Sequence, residues 1–281
     1  MPDCNHDCAS CGKECGERTS PESFLIHQGP YSNIKKIIAV VSGKGGVGKS
    51  LSTSLLAVNA NREGKKVAIL DADVTGPSIP TIFGLHELCT GSEDAIYPVK
   101  TKSGIEAVSL NLLTDDPTDP VIWRGPVVSS LIKQFYSDVA YGDVDELYVD
   151  MPPGTGDVPL TVFQSLPVDG IVIVTSPQDL VSLIVEKALK MARMMDVPVI
   201  GLINNYAYLD CPHCGERIYP FGKIDEEKLA SKYGIDVIDG IPFDSALAAR
   251  CDSGTIEDYE GRYLSRISEA ITKLKPRDIA K

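Results

Sequence analysis

The chain has 281 residues, 43% of them hydrophobic, and a formal net charge of -12. That is enough apolar material for one large α/β core with a short appendage, and the acidic balance, with no dense Lys/Arg run, excludes a nucleic-acid groove built on phosphate neutralisation. No apolar stretch approaches the ~18 residues of a membrane span and the first residues are polar and cysteine-rich, so a cytoplasmic protein with no membrane attachment is expected.

Residues 1–30 show no helical or strand periodicity and are rich in Cys, Gly, Asp, Glu and Ser, so they cannot bury a core of their own. They are read as a metal-binding arm built on Cys4, Cys8, Cys11 and Cys15, and residues 31–281 as the main domain. In a reducing compartment such clusters are metal ligands or redox thiols sooner than disulfides. Four cysteines in this span can wrap one iron-sulfur cubane or one zinc ion. Cys89 and Cys251 stand alone and read as small apolar residues.

From about Ile34 short β-branched runs alternate with longer amphipathic stretches, the pattern of a mostly parallel sheet with helices on both faces. The apolar run Ile37 to Val41 leads into Gly43, Lys44, Gly45, Gly46, Val47, Gly48, Lys49 and Ser50, which satisfy the phosphate-loop pattern G-x-x-x-x-G-K-[ST]. Its glycines let successive N–H groups turn inward toward a phosphate, and the helix that follows adds partial positive charge there. Lys49 is placed for the β/γ-phosphates of ATP or GTP and Ser50 for Mg²⁺. The helix is expected to run to about Arg62, burying Leu51, Leu55, Leu56 and Val58 and stopping near Gly64.

The second loop residue narrows the class. With Lys44 the loop resembles the deviant Walker A of the dimeric ATPases that include the partition proteins, the arsenite pump ATPase and the nitrogenase iron protein. The resemblance implies a homodimer in which Lys44 reaches the partner's nucleotide.

The next strand, Val67 to Leu70, delivers Asp71 and Asp73 to its carboxyl end, where open α/β sheets place their ligands. Gly76, Pro77 and Pro80 make Asp71 to Pro80 a loop. A β-rich passage follows near Ala95 to Leu110, then a helix at Val127 to Val139. Leu147 to Val149 ends in Asp150 in the Walker B manner, and the Pro/Gly stretch through Asp157 suits a loop that rearranges when the γ-phosphate leaves. Strands at Ile171–Val174 and Val199–Ile203 flank a helix of roughly Leu180 to Met195, with Met191, Met194 and Met195 assigned to core packing. A last strand lies near Val237 to Ile241. The stretch after Ile256 sets Leu264, Ile267, Ile271 and Leu274 at helical spacing, for packing rather than for a membrane surface.

Cys211-Pro212-His213-Cys214 supplies two thiolates in a tight turn, half of a four-ligand site. A symmetric dimer completes it, around an iron-sulfur cluster or, as in zinc ribbons, around zinc.

Four segments together carry a narrower resemblance: Asp71 to Ser78, Trp123 to Pro126, Asp150 to Asp157 and Cys211 to Glu216 occur in the order seen in the Mrp/ApbC-type iron-sulfur cluster carrier ATPases. The likeness spans about Lys35 to Ile271. It implies a homodimer that binds a [4Fe-4S] cluster at its interface through Cys211 and Cys214 and hands it to apo iron-sulfur proteins, with ATP binding and slow hydrolysis gating transfer. On the same basis Asp73 positions the attacking water, Asp71 and Asp150 hold the Mg²⁺ shell, Asp157 lies in the second switch and Asn205 contacts adenine. Around Asn205 this chain has Asn-Asn-Tyr where the family more often has Glu-Asn-Met. The arm resembles that of the eukaryotic cytosolic carriers, which implies a second [4Fe-4S] cluster on Cys4, Cys8, Cys11 and Cys15, although the spacing C-x3-C-x2-C-x3-C differs. Two other readings share the loop: a partition or positioning ATPase with structural zinc, and an ATP-gated electron-transfer protein.

Overall fold

Runs of Ile, Val, Leu and Ala buried on both faces pair into one eight-stranded sheet. The computed structural model describes residues 24–74, 76–114, 125–154, 156–177, 183–223 and 225–277. Cys4, Cys8, Cys11 and Cys15, and the Trp123-Arg124 half of one family segment, lie outside the described residues.

From the amino end the elements are β1 (Ile37–Ser42), α1 (Lys49–Arg62), β2 (Val67–Asp71), α2 (Ile79–Phe83), β3 (Val99–Lys100), β4 (Glu106–Val108) and α3 (Gly125–Ser137). They continue with β5 (Glu146–Asp150), α4 (Asp157–Ser165), β6 (Gly170–Thr175), α5 (Leu183–Met194) and β7 (Val199–Asn205). A small hairpin, β8 (Leu209–Asp210) and β9 (Arg217–Ile218), precedes α6 (Glu226–Tyr233), β10 (Ile238–Ile241), α7 (Ser245–Asp252) and α8 (Ser265–Lys273). The strand order is β10-β7-β6-β1-β5-β2-β4-β3, parallel throughout except for the edge pair β4 and β3.

One apolar layer packs α1, α2, α7 and α8 on the sheet, and the other packs α3, α4, α5 and α6. With both faces covered, β1, β2, β5 and β6 are buried at every position, as continuous hydrophobic runs require. Helix α8 seats fully buried Ile267 and Ile271 against this core, so its stripe is spent on packing. Ahead of β1, the Ile26 N–H donates to the Ser165 carbonyl at 2.8 Å, tying the chain's entry to the end of α4.

Three local expectations need correction. Pro80 does not end the loop outside a helix but sits in the first turn of α2, where its missing N–H costs nothing because first-turn N–H groups have no intrahelical partner. Met194 is 81% exposed, since it points away from the face on which Met191 and Met195 meet the core. Residues Ile256–Asp258 form a 3-10 turn, and the last helix begins only at Ser265.

Candidate nucleotide site and cysteine hairpin

The phosphate loop leaves β1 at the sheet centre, between β5 and β6. Gly46 (φ 78°) and Gly48 (φ 84°) adopt the left-handed conformation that a side chain resists. Ser42 Oγ ties the loop by donating to the Lys44 carbonyl at 3.0 Å, and Val47 plugs it into the core beneath α1. Gly43 is half-buried, and Lys44, Gly45 and Gly46 are exposed at the lip.

Parallel register sets Asp71 of β2 directly beside Asp150 of β5 at the carboxyl ends of their strands. Lys49 Nζ lies 2.7 Å from Asp150 Oδ2 and 3.6 Å from Asp73 Oδ2. Ser50 Oγ donates to Asp150 Oδ2 at 2.6 Å, and Thr53 Oγ1 donates to Asp150 Oδ1 at 2.8 Å. Asp71 accepts from the Asp73 N–H at 3.2 Å and from Ser109 Oγ at 3.2 Å. Burial and the adjacent Asp150 carboxylate push the Asp71 carboxyl up to about 8. Beyond β5 the chain runs back against the loop: the Gly154 N–H donates to the Ser42 carbonyl at 2.9 Å. Asp157 opens α4 and is exposed. Lys49, Ser50, Asp71, Asp73 and Asp150 thus gather at the strand ends, with Lys49 and Ser50 bonded to the carboxylates, and the hydroxyl and carboxylate oxygens are donors of the kind Mg²⁺ takes.

Asn205 ends β7 and is 1% exposed. Its Nδ2 donates to the Val47 carbonyl at 3.0 Å and its Oδ1 accepts the Tyr206 N–H at 3.0 Å, so it buttresses the phosphate loop directly. Thr53, Ser109 and this buttress were not found from sequence. Thr53 had a signal, since it lies one helical turn beyond Lys49 and so shares its face.

Six residues after Asn205 comes the cysteine pair, at the tip of the β8–β9 hairpin. The Cys211 N–H donates to the Glu216 carbonyl and the Gly215 N–H to the Cys211 carbonyl, with Gly215 at φ 75° closing the turn. Cys211 is half-buried, Cys214 is exposed, and both are free thiols. Backbone N–H groups of Cys214 and His213 face the Cys211 sulfur and hold its thiol below the ordinary thiol range. At the hairpin's root the Arg217 guanidinium lies 3.6 Å from the Tyr208 ring centre, and its Nε donates to Asp210 at 2.9 Å. Among the described residues no three His, Cys, Asp or Glu side chains are grouped to hold a metal ion.

A glycine loop behind the central strand, a lysine and serine opening α1, and acidic residues closing the two strands beside it define a P-loop NTPase. The cell division ATPase MinD of Pyrococcus furiosus has this fold, with a TM-score of 0.59 at 19% identity over 85% of this chain and 99% of that one. A nucleotide-binding protein of Archaeoglobus fulgidus solved in complex with ADP is nearer, at 45% identity and a TM-score of 0.74 over 82% of this chain and 90% of that one. In sequence the chain is 42% identical to an iron-sulfur cluster carrier protein of Clostridium perfringens over 90% of each. It is 37% identical to the iron-sulfur cluster transfer protein NUBPL of Mus musculus, over 89% of this chain and 81% of that one. The family profile described as ParA, NUBPL iron-transfer P-loop NTPase, matches residues 33–275. The chain belongs to that family.

Proposed function

We propose that the protein is an ATP-binding and ATP-hydrolysing iron-sulfur cluster carrier that works as a cytoplasmic homodimer and hands a [4Fe-4S] cluster to apo-proteins. The observation that carries this reading is the short covalent link from Asn205, bonded to the phosphate loop, to a pair of free thiols, half-buried Cys211 and exposed Cys214. Two thiolates are half of a cubane's ligand set, and a two-fold axis supplies the rest. The arm cysteines Cys4, Cys8, Cys11 and Cys15 would hold a second cluster.

ATP entry replaces the contacts Lys49 makes with Asp150 and Asp73 by contacts with the β/γ-phosphates. Ser50, Asp71 and Asp150 fit Mg²⁺ as oxygen donors; when bound, that ion supplies neutralisation of phosphate charge. Asp73, released from Lys49, orients water toward the γ-phosphate, and exposed Lys44 reaches across the dimer to the partner's nucleotide. An adenine contact by Asn205 would use the second N–H of its amide or the second lone pair of its Oδ1, one of each being held by Val47 and Tyr206. Gly154, bonded to Ser42, passes the change in the loop to the segment leading into Asp157 and α4.

The test is anaerobic transfer to an apo [4Fe-4S] dehydratase whose activity returns on loading. Wild-type protein with Mg-ATP should restore that activity, Lys44→Ala should slow both ATP turnover and transfer, and Cys211→Ser/Cys214→Ser should transfer nothing. Equal restoration by the cysteine variant would defeat the carrier reading.

A further inference from the structure

Successive strand residues face opposite sides of a sheet, and the two asparagines closing β7 divide accordingly. Asn205 turns to the phosphate loop, whereas Asn204 lines a separate pocket of about 280 Å³ between the sheet edge and the root of the hairpin. Asn204 is 1% exposed, yet neither its Nδ2 nor its Oδ1 has a hydrogen-bond partner among the described residues. Buried polar groups are nearly always paired, so a buried amide with both ends unmet, lining a cavity, marks a place for a bound partner.

The walls select its chemistry. A side-chain amide offers a donor and an acceptor in one plane, which a carboxamide or ureide edge meets with an acceptor and a donor. Tyr208 and Tyr219 line the pocket with ring centroids 6.3 Å apart, one face of Tyr208 being covered by the Arg217 guanidinium. Arg217, Lys223 and Arg266 line the pocket against Glu226 and Asp239. Arg266 pairs with Glu226 at 3.0 Å, Arg217 pairs with Asp210 at 2.9 Å and Asp239 accepts the Ile267 N–H at 2.9 Å, so Lys223, 5.9 Å from the Tyr219 ring centre, is the lining cation outside these pairs and the one placed to meet a carboxylate. At ~30 Å³ per water, 280 Å³ equals about nine waters, room for a small metabolite.

We propose that this pocket binds a small carboxylate bearing a carboxamide or ureide group, with the planar edge on Asn204 and the carboxylate toward Lys223. The site stands apart from the phosphate loop and does not require that the cysteines carry a cluster.

The test is calorimetric and NMR titration of the full-length, nucleotide-free protein with N-carbamoyl-L-aspartate and N-acetyl-L-glutamate, using succinate as the probe that lacks the amide. At least one amide-bearing probe should bind about tenfold or more tighter than succinate, since a site built to pair an amide rejects the analogue without one. Asn204→Leu should erase that preference with ADP binding unchanged. Lys223→Ala, a surface change that leaves folding intact, should weaken the amide-bearing probe about fivefold or more. Absence of binding by both amide-bearing probes, or binding of succinate equal to theirs, would overturn the proposal; so would indifference of their binding to Lys223→Ala.

Discussion

Replacing Gly48 with alanine probes how the phosphate loop is held. Gly48 sits at φ 84°, and an added Cβ would lie 2.1 Å from Asn205 Nδ2. The left-handed backbone costs an alanine about 1–2 kcal/mol. The collision also drives Asn205 out of place, breaking its bonds to the Val47 carbonyl and the Tyr206 N–H at about 1 kcal/mol each. Gly48→Ala should therefore lower unfolding free energy by about 3–4 kcal/mol, and Asn205→Ala by about 2 kcal/mol. In the double variant the colliding group is gone and the two bonds are lost only once. Its cost should stay near 3–4 kcal/mol, about 2 kcal/mol below the sum of the single changes. Urea denaturation of the four nucleotide-free proteins measures the cycle. Additivity within about 0.5 kcal/mol would refute the contact between loop and strand as the origin of the effect.

Other consequences are as direct. The Asp71 carboxyl ionises near 3.8 when unfolded and at about 8 when folded, so its contribution to stability is complete below about pH 4 and lost as pH rises through about 8. The thermal midpoint of metal-free, nucleotide-free protein should thus fall between about pH 5 and pH 9, and Asp71→Asn should flatten that fall; an unchanged slope would contradict the assignment. A Cβ on Gly254 would lie 2.5 Å from the Gly84 Cα, backbone that cannot swing aside, so Gly254→Ala should cost about 2–4 kcal/mol in urea denaturation, whereas a neutral result would mean the two loops separate easily. Peptide-resolved alkylation by iodoacetamide should label Cys211 well before Cys251, whose thiol burial pushes up to about 11; the reverse order would rule out the backbone N–H groups as the activating feature.

The phosphate loop, the two acidic strand ends and the alternation of strands and helices were legible because each rests on local spacing. The sheet order brings Asp71 beside Asp150, a juxtaposition two separated strands do not announce. Helices α6 and α7 escaped because both are short and each buries little: Leu229 and Tyr233 in one, Leu247 in the other. The placement of Asn205 escaped for another reason. Family likeness pointed to a base contact and did not announce that one donor and one acceptor of the amide bond backbone groups 158 residues and one residue away. Pro80 misled because a proline excludes a helix interior but favours its first turn. The cysteine pair was legible as a metal site in the making, but two thiols on one hairpin never state which metal or how many chains.

Anaerobic reconstitution with iron and sulfide decides whether Cys211 and Cys214 hold a cluster between two protomers. Iron, sulfide and zinc would be counted per chain, and mass measured by sedimentation, for a chain lacking residues 1–30 and for the same chain with Cys211→Ser/Cys214→Ser. A brown dimer with about four iron atoms per two chains, reduced to a colourless protein by the double substitution, is the predicted result. Zinc at that position with no chromophore, or iron retained by the substituted chain, would contradict it.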